Sequence, residues 1–576
     1  MTANASEPAT PSPLPFRGGA GGEASPHSPS SPEASDIAER PHPNPSPEGE
    51  GPSTRTTITR FRWAIAPALG AIAATGFQPW GLWPLTLLSF ALLIALIAVT
   101  PRARDAAWIG WLFGVGHFTL GNTWIATAFT YQAQMPAWLG QIAVVALALY
   151  LAIYPALATL AAWALRRRTG IALAPALAAS WIVTEWLRSW VFTGFPWNPL
   201  GVVALGPFDR PGLARIAAWC GTYALSGAVV LLAGLWLWAL QNARARRFVP
   251  AIVGALVPPV LILLPIGGAP GDTDLAYTLV QPDLSQADIN NPRLFERQFR
   301  TMANLSRRIR ADGRGPRIVL WPEGAVPDYL RPGYDETWYL QTTYAGDPAL
   351  ARERMGEVVG AQSLLMTGTA DLAVADRQVI GAYNVITLID PAGAIRGGYA
   401  KAHLVPYGEY LPMRAWLTPL GLSRLVGGDL DFQAGPGPRT IAVPGWGKPG
   451  FQICYEIVFS GHVIDRAHRP DYLVNPSNDG WFGTIGPPQH LAQARLRAIE
   501  EGVPVLRSTT TGISAVIDAG GAVRQWLPLL AAARIDGRVP IALPPTPFAR
   551  LGNVLALGWA VVVLVIALVA TRRRAR

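Results

Sequence analysis

The chain has 576 residues, of which half are hydrophobic and only 15% are charged, and it contains 22 tryptophans. Soluble globular domains carry about 25% charged residues, so this composition excludes an ordinary soluble enzyme as well as a wholly disordered chain. The 47 basic residues outnumber the 37 acidic ones, and because many of them lie in short loops between apolar runs, they indicate membrane orientation rather than nucleic-acid binding.

Together these numbers predict an integral membrane protein that carries a polar domain. Residues 1–57 are rich in Pro, Ser, Gly and Glu and lack a periodic apolar pattern, so we predict a disordered tail there. No apolar core follows Met1, and we therefore expect no secretory signal peptide.

Eight apolar runs follow, each close to the roughly 20 residues that a helix needs to cross a bilayer. The runs lie near residues 61–78, 82–100, 106–130, 138–164, 171–190, 213–240, 249–267 and 549–571. We predict an α-helical membrane bundle of eight spans, seven within residues 58–268 and the eighth within 548–571.

Arginines gather in alternate loops between these runs, which orients the chain by the positive-inside rule. The clusters precede the first run and follow the second, fourth, sixth and eighth: Arg55, Arg60, Arg62, Arg102, Arg104, Arg166, Arg167, Arg168, Arg244, Arg246, Arg247, Arg572, Arg573, Arg574 and Arg576. The intervening loops carry no arginine or, in 190–212, only Arg210. We therefore expect both termini, including a basic tail at 572–576, in the cytoplasm of a bacterium, and the segment 270–547 on the periplasmic side of its inner membrane.

This segment, called the insert below, has a different pattern from the apolar runs. Helical patterns occur near 292–311, 348–360 and 487–500. Between them lie short β-rich runs: LAYTLVQ, RIVLWPE, LLMTGTA, YNVITLID, FQICYE, DYLVNPS, VPVLRST and GISAVID. Alternating strands and helices predict an α/β domain.

Three polar residues of the insert follow apolar strands, at the ends of which α/β sheets place their ligand sites. Glu323 ends IVLWPE, Lys401 follows GGYA and Cys454 follows FQI. A thiol needs a nearby base or cation to act as a nucleophile at neutral pH. Glu323 can take the proton, and Lys401 can stabilise the oxyanion of a tetrahedral intermediate. The three residues therefore suffice for acyl transfer through a thioester.

Each of these residues also has a structural interpretation. Cys454 is otherwise a small core residue, Glu323 a loop cap and Lys401 a solvated charge. Lys401 and Lys448 are, however, the only lysines among 47 basic residues, and arginine is a poor substitute where a compact donor is needed. Cys220 lies within an apolar run, so we expect it to pack in a helix and expect no disulfide.

Common metal and cofactor motifs are absent from the sequence. It has no G-x-S-x-G elbow, no phosphate-binding G-x-x-x-x-G-K-[ST] loop and no H-E-x-x-H. The seven histidines are scattered without ligand spacing. We therefore expect no metal, no cofactor and no nucleic-acid partner.

Four segments of the insert resemble motifs of the carbon–nitrogen hydrolase (nitrilase) superfamily, whose triad is Glu–Lys–Cys. They are WPEGA at 321–325, YAKAHLVPYGEYLP at 399–412, ICYE at 453–456 and SNDGWFG at 477–483. With the insert placed between the seventh and eighth predicted spans, the chain resembles the apolipoprotein N-acyltransferase family over about residues 60–570.

This resemblance implies an αββα sandwich for the insert and a ping-pong acyl transfer. An acyl chain leaves a membrane phospholipid for Cys454 and then passes to the N-terminal amine of the diacylglyceryl-cysteine of an apolipoprotein. In this scheme Glu323 is the general base and Lys401 is the oxyanion stabiliser.

Three further residues match positions that the family uses. Glu409 corresponds to a second, supporting glutamate, and Tyr455 and Glu456 follow the nucleophile directly. The backbone N–H of Tyr455 is a candidate second oxyanion donor, whereas Glu409 and Glu456 have a structural alternative as hydrogen-bond partners of loops. Asn290 lies near a place where the family often has tryptophan, so we expect a different local contact to the acyl chain or the acceptor.

Two other functions stay open at this level. A membrane-anchored amidase or nitrilase acting on a small amide would use the same triad but would need only one anchor. A transporter or scaffold would need intramembrane ionisable residues; Glu185 and Arg188 are candidates, although we expect them to pair or to support an outer loop. The aromatic loops 76–81 and 192–201 fit either a lipid-facing lip under the insert or an ordinary interfacial belt.

Overall fold

The computed structural model describes residues 54–131, 136–265, 271–309, 315–420, 424–425 and 430–575. The predicted disordered tail at 1–57 therefore lies outside the described residues, except for 54–57, which belong to the first helix. The described chain forms sixteen α-helices: α1 (Thr54–Ala74), α2 (Trp83–Ala98), α3 (Ala103–Gly121), α4 (Ile125–Ala128), α5 (Leu139–Leu151), α6 (Ile153–Thr169), α7 (Leu173–Arg188), α8 (Ala217–Arg244), α9 (Phe248–Ile262), α10 (Phe295–Ser306), α11 (Glu336–Thr342), α12 (Pro348–Val359), α13 (Arg414–Leu417), α14 (Gly486–Glu501), α15 (Pro547–Leu551) and α16 (Asn553–Ala575).

Helices α1 to α9 and α16, with the loops that connect α1 to α9, are called the helical region below. They include a helix in each of the eight segments predicted to span. Three helical stretches are long and apolar enough to cross a membrane: Leu139–Thr169, Gly212–Arg244 and Asn553–Arg573. Shorter apolar helices occupy Phe61–Ala74, Trp83–Ala98 and Phe248–Ile262. The count of eight spans stays a prediction.

The helical region departs from the predicted runs at two places. α3 ends at Gly121 rather than near residue 130, because Trp124 turns towards the insert and packs against Trp197 and Phe482 at ring-centroid distances of 4.5 and 4.9 Å. α16 continues to Ala575. Most of the predicted basic tail is therefore the last turn of this helix.

Helix α8 has a break in its backbone at Gly221, and the residue after the break is hydrogen-bonded to the insert. Gly221 has φ 75° and ψ 166°, a conformation that L side chains rarely adopt. The N–H of Thr222, directly after the break, donates to Glu500 Oε1 of α14 at 2.7 Å. A carboxylate of the insert thus caps the long continuation of α8, where the helix dipole favours negative charge.

The insert contains two sheets in the part of the chain that the structure describes. Their strands are β1 (Asp272–Gln281), β2 (Arg317–Leu320), β3 (Ser363–Ala375), β4 (Gln378–Ile389), β5 (Ile395–Ala400), β6 (Pro449–Phe451), β7 (Tyr472–Ser477), β8 (Val505–Thr509), β9 (Ala515–Ile517), β10 (Val523–Trp526) and β11 (Ala533–Pro540). The first sheet has the order β11-β1-β2-β3-β4-β5 and the second β10-β9-β8-β7-β6. Strands β1 to β3 and β6 to β8 pair in parallel, and the other neighbours pair antiparallel.

Side chains of the first sheet alternate between two cores. On β2, Ile318 and Leu320 pack with residues of the second sheet, whereas Val319 packs under helices α10 and α12 with Trp321, which follows the strand. This period of two is the expected geometry of a strand buried on both faces.

Helix α14 covers the second sheet and is buried along its whole length. Leu491, Ala494 and Ala498 belong to the core of the second sheet, whereas Leu496 and Ile499 pack with the helical region. The insert is therefore the predicted αββα sandwich, and one of its outer layers lies directly on the helical region.

Candidate active site

Glu323 lies in the turn after β2 and packs closely on the neighbouring strand β3. Gly368 of β3 makes this approach possible, because a Cβ atom there would lie 2.7 Å from the Cα of Glu323. Glu323 Oε2 accepts a hydrogen bond of 2.8 Å from the backbone N–H of Asn478, which follows β7. The carboxyl group thus joins the ends of strands from both sheets.

Lys401 directly follows β5, and its side chain is 1% exposed, so it is not a solvated charge. Its Nζ donates to Glu323 Oε1 at 3.2 Å and to Glu409 Oε1 at 2.9 Å. An ammonium group has three N–H donors, and these bonds use two of them. The remaining donor is the one that a substrate oxyanion would engage.

Asn384, in the middle of β4, supports both carboxyl groups. Its Nδ2 donates to Glu323 Oε1 at 2.7 Å and to Glu409 Oε1 at 3.0 Å. Glu409 Oε2 also accepts from the backbone N–H of Val405 at 2.8 Å. Glu409 therefore contacts Lys401 and braces the loop after it; its supporting role in the reaction stays a prediction. The sequence signal for Asn384 was a single amide in the apolar run YNVITLID.

Cys454 begins the 3-10 helix Cys454–Val458, three residues after β6 ends. Its φ of 50° lies in the left-handed region, which is uncommon for a residue with a side chain. The residue is buried, and its thiol lies close enough to Glu323 and Lys401 for both charges to act on its ionisation. The three predicted triad residues are thus brought together.

The protonation states at the site follow from burial and mutual charge. Burial, reinforced by the Glu323 carboxylate, raises the pKa of the Cys454 thiol well above its usual value. Burial opposes ionisation of Glu323 too, but the Lys401 ammonium, together with the hydrogen bonds from Asn384 and Asn478, holds the pKa of Glu323 below its usual value. Burial would lower the pKa of Lys401, yet Glu323 and Glu409 raise it. At neutral pH the site therefore holds a neutral thiol beside an ionised base and an ammonium group.

Glu456 connects the loop after Lys401 to the segment before Cys454. Its Oε1 accepts from the backbone N–H of Ala402 and its Oε2 from that of Ile453, each at 2.7 Å. Burial raises the pKa of Glu456 to about 7. These contacts are those of the loop-bracing alternative, and a role of Glu456 in the reaction stays a prediction.

Tyr455 faces the helical region. Its ring stacks on Trp197 with the centroids 6.5 Å apart and the planes at 14°, and its hydroxyl lies 3.4 Å from the carbonyl oxygen of Gly194. Residues of the loop 192–201 therefore lie in two different environments. Trp197 is fully buried against Tyr455, whereas Phe192 is 87% exposed.

Glu185 and Arg188 hold this loop from below. Arg188 Nη1 donates to the carbonyl oxygens of Phe195 at 2.7 Å and Trp197 at 2.9 Å. Glu185 Oε1 accepts from the backbone N–H of Leu200 at 2.8 Å and lies 3.7 Å from Arg188 Nη2. Glu185 and Arg188 thus form the expected pair and support the loop 192–201; that this loop lies on the outer side of the membrane stays a prediction.

A second polar cluster approaches the nucleophile from α14 and the second sheet. His490, Asp479 and Arg507 are buried and mutually hydrogen-bonded, and His490 Nε2 lies 3.0 Å from the carbonyl oxygen of Cys454. Sequence reasoning singled out only the SNDGWFG segment that holds Asp479.

Across the described residues, no group of three His, Cys, Asp or Glu side chains is arranged to hold a metal ion.

Comparisons with known proteins cover both regions. A family model described as "Apolipoprotein N-acyltransferase N-terminal domain" matches residues 69–235, and one described as "Carbon-nitrogen hydrolase" matches residues 280–529. The "Apolipoprotein N-acyltransferase" of Bradyrhizobium diazoefficiens is 35% identical over 526 residues, which cover 88% of this chain and 94% of the relative. Its namesake from Rhodopseudomonas palustris is 31% identical over 530 residues, which cover 89% of this chain and 95% of the relative.

Proposed function

The chain belongs to the apolipoprotein N-acyltransferase family, and from this premise we propose that the Cys454 thiol carries an acyl chain from a membrane phospholipid to the N-terminal amine of an apolipoprotein. Membership makes the chain an acyltransferase of lipoprotein biosynthesis with a nitrilase-like domain. The amidase alternative finds no support in these relatives.

The observation that carries the proposal is the position of the thiol. The residue after Cys454, Tyr455, stacks on Trp197 of the helical region, so the nucleophile lies where the insert meets the apolar helices. An acyl chain arriving laterally from lipid reaches such a site directly. A hydrolase of small soluble amides would gain nothing from this placement.

In the first half-reaction, Glu323 takes the proton from Cys454 as the sulfur attacks the ester carbonyl of the donor. The third N–H of Lys401 stabilises the oxyanion that forms. The ester C–O bond then breaks, and Glu323 returns the proton to the oxygen of the departing lysophospholipid. The acyl chain is left on sulfur as a thioester.

In the second half-reaction, the acceptor amine attacks the thioester carbonyl. An α-amino group has a pKa near 8, so part of it is already neutral at pH 7. Glu323 takes the second proton of the amine, and the released thiolate of Cys454 then recovers that proton. Asn290 is exposed in the loop after β1, and we propose that contacts to the acyl chain or acceptor there differ from those of relatives with tryptophan.

The acyl-enzyme is expected to persist in water and to discharge rapidly when an acceptor is added, because a transferase must exclude water from its thioester. The protein is loaded with labelled phospholipid, the excess is removed, and the label is followed with and without a diacylglyceryl-cysteine peptide. We expect slow loss alone and fast appearance of acylated peptide.

The matched control for this experiment is Cys454→Ala, which reports label that is merely trapped in detergent or lipid. Fatty acid released without acceptor as fast as peptide is acylated with it would restore the hydrolase alternative. Absence of any acyl-enzyme would defeat the proposed function itself.

We also propose the membrane arrangement drawn from the sequence: eight spans, both termini cytoplasmic and the insert periplasmic. Reporter fusions after Arg247 and Arg576 are expected to be active in the cytoplasm, and fusions within 270–290 in the periplasm. The alternating arginine clusters are the physical reason. The reverse pattern would place Cys454 on the side away from exported lipoproteins and would contradict the proposed function as well.

A further inference from the structure

The backbone at Cys454 is held in a conformation that needs support. A residue with a side chain rarely adopts the left-handed region, and such a conformation persists only when its surroundings impose it. The carbonyl oxygen of Cys454 lies 3.0 Å from Nε2 of His490, in the first turns of α14. His490 is fully buried, so this contact does not compete with water.

The other ring nitrogen of His490 is fixed by an ion pair. His490 Nδ1 lies 3.0 Å from Asp479 Oδ1 and 3.0 Å from Arg507 Nη2, and Arg507 Nη2 donates to both carboxylate oxygens of Asp479 at 2.8 and 2.7 Å. Burial, reinforced by the charge of Arg507, lowers the pKa of His490. The imidazole is therefore neutral. Nε2 faces the carbonyl oxygen of Cys454, which can only accept, so the proton of the neutral ring belongs on Nε2 and Nδ1 is left to accept from Arg507.

The His490 ring is also clamped by aromatic side chains, one of them from the helical region. Its centroid lies 5.2 Å from that of Trp197 and 5.6 Å from that of Phe482. The preceding residue, Gln489, accepts hydrogen bonds from Trp197 Nε1 at 2.8 Å and from Asn198 Nδ2 at 2.9 Å. The orientation of His490 is thus set from both regions of the protein.

The carbonyl that His490 holds belongs to the same planar peptide as the N–H of Tyr455. In a trans peptide the C=O and N–H point in opposite directions, so a donor that fixes one end fixes the aim of the other. His490 contacts the backbone oxygen of Cys454 rather than its sulfur. It therefore acts on the site through the peptide, not by exchanging a proton with the thiol.

We propose that His490 is a positioning residue that aims the Tyr455 N–H at the oxyanion by holding the Cys454 carbonyl from behind. The proposal rests on the proposed function, in which an oxyanion forms beside Cys454. The oxyanion exists only in the transition state and intermediate. Misalignment of this donor should therefore lower the maximal acylation rate and leave donor binding unchanged.

The test compares His490→Gln with His490→Asn in single-turnover acylation of Cys454 by labelled phospholipid in detergent micelles. Glutamine places an amide N–H near the position of imidazole Nε2, whereas asparagine is too short. We expect the maximal rate of His490→Asn to fall on the order of 10²-fold, as for a misplaced catalytic contact, with an unchanged half-saturating donor concentration. His490→Gln should recover to within about tenfold of the wild type.

Gln493→Asn is the matched control, since Gln493 is equally buried one turn later on α14. It should acylate at the wild-type rate and melt at a temperature close to that of the His490 variants. Equal rates for His490→Asn and His490→Gln, or a change confined to the half-saturating concentration, would overturn the proposal.

A measurement on the unaltered protein shows which ring nitrogen of His490 carries the proton, even if His490→Asn fails to fold. In ¹⁵N-histidine-labelled protein, nitrogen chemical shifts separate the two neutral tautomers, and His490→Gln assigns the signal. A proton on Nε2 is expected; a proton on Nδ1 alone would overturn the proposal. This result does not depend on activity, so a wild type that forms no acyl-enzyme would defeat the proposed function without deciding the His490 contact.

Discussion

Cys454→Ala is expected to abolish acylation of the protein by phospholipid, because in the proposed function Cys454 supplies the attacking sulfur beside Glu323 and Lys401. Removing the nucleophile of a catalytic set typically costs on the order of 10⁶ in rate, which is below detection in this assay. Intact mass after incubation with phospholipid should show one added acyl group on the wild type, removable by hydroxylamine, and none on the variant.

Cys220→Ala provides the matched control, because both cysteines are buried and free. Cys220 lies in α8 within the core of the helical region, where the nearby carboxyl group of the insert is Glu500 of α14 rather than Glu323. Its replacement should leave the added mass in place. Acylation that survives in Cys454→Ala but disappears in Cys220→Ala would reverse the assignment of the nucleophile.

The meeting of the triad could be predicted because it depends on topology. Glu323, Lys401 and Cys454 each come shortly after a strand of an α/β sandwich, and such positions converge at one edge of the sheets. Their chemical types then limit the possible reactions. Nothing about side-chain packing was needed to bring these three residues into one hypothesis.

Among the supporting residues, Glu409 was predicted from its motif, whereas the contacts of Asn384 and Glu500 could not be predicted because they join segments far apart in the sequence. Asn384 donates to Glu323 across 61 residues, and Glu500 caps α8 across 278 residues. The two edge strands β10 and β11 were missed as well. They are short or polar, and their pairing with β9 and β1 is determined by tertiary context.

The burial of helix α14 could not be predicted from the sequence pattern alone, because this helix lies where the insert meets the helical region. α14 carries Arg495, Arg497, Glu500 and Glu501, which read as solvent-facing charges in a sequence, yet all four are buried. Arg495 donates to the carbonyl oxygens of Gly206 and Pro207 in the helical region. Buried charges of this kind require partners, and the partners of Arg495 include carbonyl groups of the other region of the protein.

Lys401→Arg is expected to lower the acylation rate on the order of 10²–10³-fold, the usual cost of losing one oxyanion donor. The substitution keeps the positive charge between Glu323 and Glu409, so charge loss does not explain the effect. The reason is geometric: the side chain is 1% exposed and has carboxyl oxygens at 3.2 and 2.9 Å. A planar guanidinium is bulkier than an ammonium group and orders its donors in a fixed fork, so it cannot make both contacts and still direct an N–H at the substrate.

Lys448→Arg is the matched control, since Lys448 is the only other lysine and sits at the far end of the insert's second sheet, just before β6. It should acylate at the wild-type rate. We also expect the larger side chain at position 401 to overpack the site and to lower the free energy of unfolding by about 1–3 kcal/mol. The melting temperature of Lys401→Arg should therefore fall, whereas that of Lys448→Arg should not. A variant that melts earlier but acylates normally would make Lys401 a structural counter-ion for the two glutamates, and the oxyanion would then depend on the Tyr455 N–H.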